Sequence, residues 1–122
     1  MLVVDDSITI RHALDETLQR NGFETQLASD GLEAMNLLKS DLPRVLLLDI
    51  EMPNLDGFEL LTILRQRPEY AGVRIAMLTS RASATYRERA AGLGADAYLV
   101  KPCPEDQLIA TLHTLLAEAP HA

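Results

Sequence analysis

The chain of 122 residues has room for one domain with one core, and we predict a single domain over 1–122. Hydrophobic residues make up 48% of the chain and charged residues 24%, a composition that excludes disorder. The net charge of -7 argues against a nucleic-acid-binding surface, which needs clustered Lys and Arg. No apolar run approaches the ~20 residues of a membrane helix, and the lone Cys103 excludes an internal disulfide and fits a reducing cytoplasm.

Five short apolar runs predict strands. In chain order they lie at 2–4, 25–28, 45–48, 75–78 and 97–100. All but the second are uninterrupted apolar runs, which are typical of strands buried on both faces of a parallel sheet. The second run is weaker and is identified by the turn signal Asn21-Gly22 before it.

An amphipathic stretch after each strand predicts a helix. The first has Ser7 as a suitable N-cap and apolar residues at helical spacing as far as Leu18. The others follow at 32–38, around Leu61 and Leu64, at 84–93, and from Pro104 to Leu116. Strands linked by crossover helices run parallel, with helices on both faces of the sheet. The sequence therefore predicts an α/β doubly wound fold, in which ligands bind at the carboxyl ends of the strands.

Polar side chains stand at the carboxyl ends of four of these strands. They are Asp5 and Asp6, Asp49, Thr79 and Ser80, and Lys101. Each has an ordinary explanation of its own, as a helix cap, a turn residue, a strand end or a solvated charge. Because parallel strands bring their carboxyl ends to one edge of the sheet, their joint placement indicates a common site instead.

The chemistry of this set points to phosphoryl transfer. Carboxylates close together repel one another, so an acidic site implies a cation, and oxygen ligands favour a hard divalent ion such as Mg²⁺. A carboxylate left free to attack could act as a nucleophile. The metal, the Thr79 hydroxyl and the Lys101 ammonium could then share the charge of the transferring group.

These residues resemble the receiver domains of two-component response regulators. The matching stretches are 3–7 (VVDDS), 48–57 (LDIEMPNLDG), 78–80 (LTS), 92–96 (GLGAD) and 101–102 (KP). They come in the family's order and spacing over essentially the whole chain. The resemblance implies a flavodoxin-like (βα)5 fold with a parallel five-stranded sheet in the order 2-1-3-4-5.

The family pattern also implies a role for each site residue. Asp49 would be the phosphoacceptor, with Mg²⁺ or Mn²⁺ as cofactor. The metal would be held by the carboxylates of Asp6 and Asp49, by Asp5 largely through water, and by the backbone carbonyl of Glu51. The phosphoryl oxygens would be contacted by Thr79, Ser80 and Lys101, and the Lys101-Pro102 peptide bond would be cis.

Partners and switching follow from the same resemblance. The donor would be a phosphohistidine on a histidine kinase or phosphotransfer domain, whereas the chain's own histidines are interpreted as ordinary surface residues: His12, His113 and His121. On phosphorylation Thr79 would move toward the phosphoryl group and Tyr98 would turn inward, although Tyr98 could also be an ordinary strand residue. The changed surface, formed by the fourth helix, fifth strand and fifth helix, would bind a downstream protein. The chain would be a monomer or weak dimer in the bacterial cytoplasm, not an enzyme, and without nucleic-acid or membrane partners.

Two further residues would set the lifetime of the phosphoryl group. Glu51 and Arg81 each lie two positions beyond a site residue and would flank the entrance for attacking water, with a solvated surface pair as the alternative. Cys103 is interpreted as a small packing residue.

Three alternatives concern the function of the chain and the kind of protein it belongs to. A haloacid-dehalogenase-type phosphatase also uses an aspartate nucleophile, but its D-x-D motif follows the first strand, where this chain has the adjacent pair Asp5-Asp6. A degenerate receiver used only for docking would not need the intact polar set. The chain could be a stand-alone regulator, or a receiver excised from a chemotaxis-type hybrid histidine kinase, which the motifs resemble more.

Overall fold

A computed structural model describes residues 1–117 as alternating parallel strands and helices, so His121 lies outside the described residues. The strands are β1 (Leu2–Val4), β2 (Gln26–Ala28), β3 (Val45–Leu48), β4 (Arg74–Thr79) and β5 (Ala97–Val100). The helices are α1 (Ile8–Arg20), α2 (Gly31–Ser40), α3 (Gly57–Gln66), α4 (Ala84–Gly92) and α5 (Glu105–Ala117), with a 3₁₀ turn at Pro68–Tyr70 before β4. Among these helices none is both long and apolar enough to span a bilayer.

The strands form one parallel sheet in the order β2-β1-β3-β4-β5, which confirms the predicted flavodoxin-like topology. Every residue of β1, β3 and β4 is buried, as the apolar runs predicted. By contrast β2 and β5 keep partly exposed residues, because they are the edge strands and only one neighbour covers each of them. The expectation of full burial was therefore wrong for β5.

Alternate residues of each central strand supply two hydrophobic clusters, one on each face of the sheet. On one face Val4 and Leu48 pack with residues of α2, α3 and α4. On the other face Val3 and Leu47 pack with residues of α1 and α5. Side chains of a strand alternate between faces, so a sheet covered on both sides must be apolar at every position.

Side-chain caps determine where the helices begin. Ser7 Oγ accepts from the amide of Ile10 at 3.3 Å, as predicted for α1. At α3 a capping box sets the start, since Asp56 accepts from the Glu59 amide at 2.8 Å and Glu59 accepts from the Asp56 amide at 3.1 Å. These two helices therefore begin on the side of the sheet where the strands β1 and β3 end.

A buried ionic cluster ties the opposite end of the sheet together. Asp96, just before β5, accepts from Arg65 of α3 at 2.8 Å and from the Ile75 amide at 2.8 Å. Arg74 at the start of β4 lies 3.4 Å from the same carboxylate. The cluster joins α3, β4 and β5 at the edge of the sheet where the strands begin.

Candidate functional site

Three carboxylates meet at the carboxyl edge of the sheet. Asp5 and Asp6 follow β1 and Asp49 follows β3, and one oxygen of each lies within 4.8 Å of the others. Asp5 and Asp49 are 2% and 8% exposed, whereas Asp6 is open to solvent. Neighbouring strands therefore bring together the acidic residues that the sequence predicted as one site.

Lys101, after β5, reaches into this acidic group. Its Nζ forms an ion pair with Asp5 and lies 3.3 Å from Asp49 Oδ2. The Asp5 carboxylate also accepts from the Ser7 amide at 2.9 Å, so its two oxygens bind two different donors. The sequence did not predict that Lys101 and Asp5 would pair. The Lys101–Pro102 peptide bond that follows is cis.

The backbone around Asp49 holds its carboxylate in a fixed orientation. The Asp49 amide donates to the Val4 carbonyl at 3.0 Å, and its own Oδ1 accepts from the Ile50 amide at 2.8 Å. Gly57, the first residue of α3, packs so closely on this turn that a Cβ there would lie 2.2 Å from the Asp49 carbonyl oxygen. The role of Gly57 in supporting the site was not predicted from the sequence, although it follows directly on a cap residue.

Burial raises the pKa of Asp49 above the ordinary aspartate value; the Lys101 charge opposes this effect and the nearby Asp5 charge adds to it. The Asp49 carboxylate accepts one bond from the Ile50 amide and one from Lys101, one on each oxygen, so each oxygen keeps a lone pair available for attack. The geometry therefore suits a nucleophile.

Residues of β4 and β5 adjoin the acidic group on one side. Thr79 is fully buried, and its hydroxyl accepts from the Arg81 amide at 3.3 Å, while Ser80 is exposed. The Tyr98 hydroxyl donates to the Arg81 carbonyl at 2.5 Å, and burial raises the pKa of this tyrosine. Both predicted switch residues thus bind the backbone of Arg81.

The side chains of Glu51 and Arg81 form an ion pair at the rim of the site. Both are about half exposed, at 55% and 48% of the side-chain surface. The bond to Glu51 raises the pKa of the Arg81 guanidinium. Tyr86 of α4 lies against this pair, with its ring centroid 5.7 Å from the guanidinium carbon of Arg81. A surface pair of Glu51 and Arg81 was one of the two interpretations from the sequence, but the contact with the tyrosine was not predicted, because residue spacing does not determine how α4 is placed against the loop before it.

A cavity of about 660 Å³ opens over Asp49. Of the predicted site residues, those that line it are Asp5, Asp6, Asp49, Glu51, Ser80, Lys101 and Pro102. Thr79, Arg81 and Tyr98 are not among its lining residues. Apolar side chains of α1 and α5, including Leu14 and Leu108, extend the cavity into a groove, and Cys103 lies half-buried within it. Burial raises the pKa of the Cys103 thiol, which fits a packing role.

The donor set fits a hard divalent cation. Asp5, Asp6 and Asp49 offer only carboxylate oxygens, and one oxygen of each is close enough to share an ion. Such oxygen donors suit Mg²⁺ or Mn²⁺ and not softer metals, which prefer thiolate or imidazole. Asp5, Asp6 and Asp49, three of the four predicted ligands, therefore form a group that could hold a metal ion.

Comparison with known proteins decides the family. A family model described as "Response regulator receiver domain" matches residues 1–113. The chain belongs to the response regulator receiver domain family. "Response regulator MprA" from Mycobacterium avium (strain 104) is 43% identical over 118 residues, which cover 95% of this chain and 50% of that protein. This receiver chain thus spans about half the length of the curated relatives it matches.

Solved structures agree with this family membership. The chemotaxis protein CheY4 of Vibrio cholerae superposes with a TM-score of 0.87 at 36% identity, covering 93% of this chain and 95% of CheY4. The signal receiver domain of a signal transduction histidine kinase from Syntrophus aciditrophicus gives a TM-score of 0.88 at 29% identity, covering 95% and 88% of the two chains. The receiver fold is therefore similar to domains of both regulators and kinases.

Proposed function

We propose that this receiver domain accepts a phosphoryl group on Asp49 from a phosphohistidine of a histidine kinase or phosphotransfer domain. The observation that carries the proposal is the position of the Asp49 carboxylate. It borders an open cavity, lies 3.3 Å from the Lys101 ammonium, and has two further carboxylates within cation-sharing distance. Receiver domains of this family take phosphoryl groups from histidine kinases, and the haloacid-dehalogenase alternative has no support from the family match.

The residues divide the chemistry among them. A carboxylate oxygen of Asp49 forms a bond to phosphorus while the phosphorus–nitrogen bond of the donor breaks, and the electron pair stays on the imidazole nitrogen. Lys101 offers positive charge to the phosphoryl oxygens, and the hydroxyls of Thr79 and Ser80 stand at the adjoining strand end to donate to them.

A divalent cation, Mg²⁺ or Mn²⁺, would be held by the carboxylates of Asp6 and Asp49, by Asp5 and by the Glu51 carbonyl. When bound it would supply positive charge that offsets the repulsion between the site and the phosphoryl group. Asp5 keeps Lys101 beside the nucleophile through their ion pair. Asp6 is exposed to solvent and lines the cavity over Asp49.

The response would travel to the surface formed by α4, β5 and α5. If the Thr79 hydroxyl turned to a phosphoryl oxygen, its bond from the Arg81 amide would be lost. The Tyr98 hydroxyl binds the carbonyl of the same residue, so a movement of Arg81 would release the tyrosine. Phosphorylation would thus favour one of two packings of this surface, and a downstream protein would bind the favoured one.

The setting of the domain is part of the proposal. The Syntrophus aciditrophicus match supports a receiver within a signal transduction histidine kinase, and the MprA match supports a receiver within a response regulator. Of these we favour the kinase, in its hybrid form, because the motifs around Asp5, Asp49 and Thr79 resemble receivers of chemotaxis-type hybrid histidine kinases, and we place the signalling in the bacterial cytoplasm. The domain itself would be a monomer or weak dimer. It would catalyse only its own phosphorylation and dephosphorylation and would turn over no separate substrate.

Incubation with acetyl phosphate and Mg²⁺, followed by intact-mass and peptide mass spectrometry, tests the proposal. One acid-stable, base-labile phosphoryl group is expected on Asp49, with none in Asp49→Asn and normal labelling in Asp41→Asn, an exposed aspartate of the α2 C-terminus. Labelling at another residue would overturn the assignment of Asp49. Sustained turnover of p-nitrophenyl phosphate would indicate a phosphatase instead.

A further inference from the structure

A stack of aromatic and cationic side chains connects α3 and α4 to the rim of the site. Phe58 of α3 is 3% exposed, and the Tyr86 ring lies nearly parallel to it, with centroids 5.9 Å apart and an interplanar angle of 18°. The Arg89 guanidinium lies 4.3 Å from the Phe58 centroid, and that of Arg81 lies 5.7 Å from the Tyr86 centroid. Both distances are within the range in which a cation is attracted to an aromatic ring.

The stack reaches the phosphoacceptor through Glu51. The Arg81 guanidinium binds the Glu51 carboxylate, and Glu51 lines the cavity over Asp49. Glu51 also lines a second cavity of about 610 Å³ together with Phe58 and Tyr86. The ion pair therefore lies between the site and α4. Because both of its partners are about half exposed, the pair alone would be worth little and would be readily exchanged for water.

We propose that Tyr86 is a positioning residue that holds Arg81 against Glu51, so that α4 sets the lifetime of the phosphoryl group on Asp49. The buried Phe58 fixes the Tyr86 ring, and the ring holds the guanidinium where it meets the carboxylate. This inference rests on the proposed phosphorylation of Asp49. It adds a route by which a protein that displaces α4 would change the rate at which the signal decays.

The physical effect is on hydrolysis of the acyl phosphate. In that step a water oxygen bonds to phosphorus, the bond from phosphorus to the Asp49 oxygen breaks, and the carboxylate and inorganic phosphate are released. A closed Glu51–Arg81 pair screens the rim and keeps the Glu51 carboxylate from orienting water. Loss of the pair exposes the rim to water and frees the Glu51 carboxylate to act as a general base. Both effects speed hydrolysis.

The test compares dephosphorylation rates after labelling with acetyl phosphate and removal of the donor. Tyr86→Leu is expected to speed hydrolysis about two- to five-fold, the population change that one exposed cation–ring contact supports. Tyr86→Phe keeps the ring and should match the wild type, as should Glu88→Gln, an exposed change on the same helix. Arg81→Ala should speed hydrolysis at least as much, and Tyr86→Leu should then add nothing to it.

The comparison of Tyr86→Leu with and without Arg81→Ala distinguishes a positioning role of Tyr86 from a merely structural one. A merely structural role for Tyr86 would change hydrolysis equally with and without the Arg81 side chain, and this result would overturn the inference, as would an unchanged rate in folded Tyr86→Leu. If Tyr86→Leu does not fold, Tyr86→Met keeps apolar bulk against Phe58 and carries the same expectation. If the wild type takes no phosphate at all, the proposed function fails; if it is labelled normally and the variants decay alike, only this inference fails.

Discussion

Replacing Gly57 by alanine tests the packing that supports the phosphoacceptor. The added Cβ would lie 2.2 Å from the Asp49 carbonyl oxygen and 2.8 Å from Ile50 Cα, distances that real Cβ atoms essentially never show. Both neighbours are backbone atoms, so no side-chain rotation can relieve the overlap. The turn after β3 would have to shift by roughly 1 Å in a densely packed region.

The expected loss of stability can be estimated from three contributions. Overpacking of this kind costs about 1–3 kcal/mol. The bond from the Gly57 amide to the Ile50 carbonyl, 2.8 Å long, would be strained or lost, at about 1 kcal/mol. The higher helix propensity of alanine offsets up to about 1 kcal/mol. We therefore expect Gly57→Ala to lower the free energy of unfolding by about 1–3 kcal/mol, measured by urea denaturation without divalent cations.

Gly92→Ala is the matched control. Gly92 is the last residue of α4, and a Cβ there would meet nothing within 4 Å. Alanine should leave stability unchanged or raise it by up to about 1 kcal/mol. Folded Gly57→Ala should also accept phosphate from acetyl phosphate more slowly, since its Asp49 backbone is displaced. Equal stability of the two variants would refute the close approach, and a wild-type labelling rate in Gly57→Ala would limit its role to stability.

Three other perturbations address the ionic groups. Asp96→Ala should lower the free energy of unfolding by about 3–5 kcal/mol, because it removes the carboxylate shared by the buried Arg74 and the partly buried Arg65; a loss below about 1 kcal/mol in urea denaturation would contradict this. Mg²⁺ should raise the melting temperature of the wild type, and Asp6→Asn, which alters an exposed residue proposed as a ligand, should weaken the apparent Mg²⁺ affinity about tenfold or more in the same assay; equal affinities would exclude Asp6 as a ligand. The raised pKa of Asp49 means that the folded state holds its proton more tightly than the unfolded state, so its charge destabilises the fold increasingly as pH rises above about 4. Without divalent cations Asp49→Asn should therefore be more stable than the wild type at pH 7 and lose that advantage at pH 3.5, and an advantage that is independent of pH would contradict the assigned cause.

Much of the fold could be predicted because the central strands are buried on both faces. The runs that became β1 and β3 are apolar at every position, and the helices between them begin at recognisable caps such as Ser7. The start of α3 was not predicted, because its capping box lies in a stretch that also matches the loop motif of the family. The same reasoning overstated the burial of β5, since an apolar run does not reveal whether a strand has neighbours on both sides.

The candidate site, like the fold, could be predicted only in part. The residues at the strand ends could be predicted to meet, because parallel strands place all their carboxyl ends at one edge of the sheet, where ligands bind. Contacts that depend on side-chain direction could not be predicted. The pairing of Lys101 with Asp5, and the approach of Tyr86 to Arg81, depend on rotamers and on the placement of α4, which residue spacing does not determine.

The formal charge of the site favours the binding of a divalent cation. The carboxylates of Asp5, Asp6 and Asp49, together with the ammonium of Lys101, leave two negative charges at the entrance of a partly buried cavity. A phosphoryl group approaching this site meets repulsion that one monovalent cation would only halve. The Lys101 ammonium, which pairs with Asp5 and Asp49, is already counted in that sum. A site of this charge suits a divalent ion, so we expect the phosphoryl transfer proposed for Asp49 to be slow when no divalent ion is present.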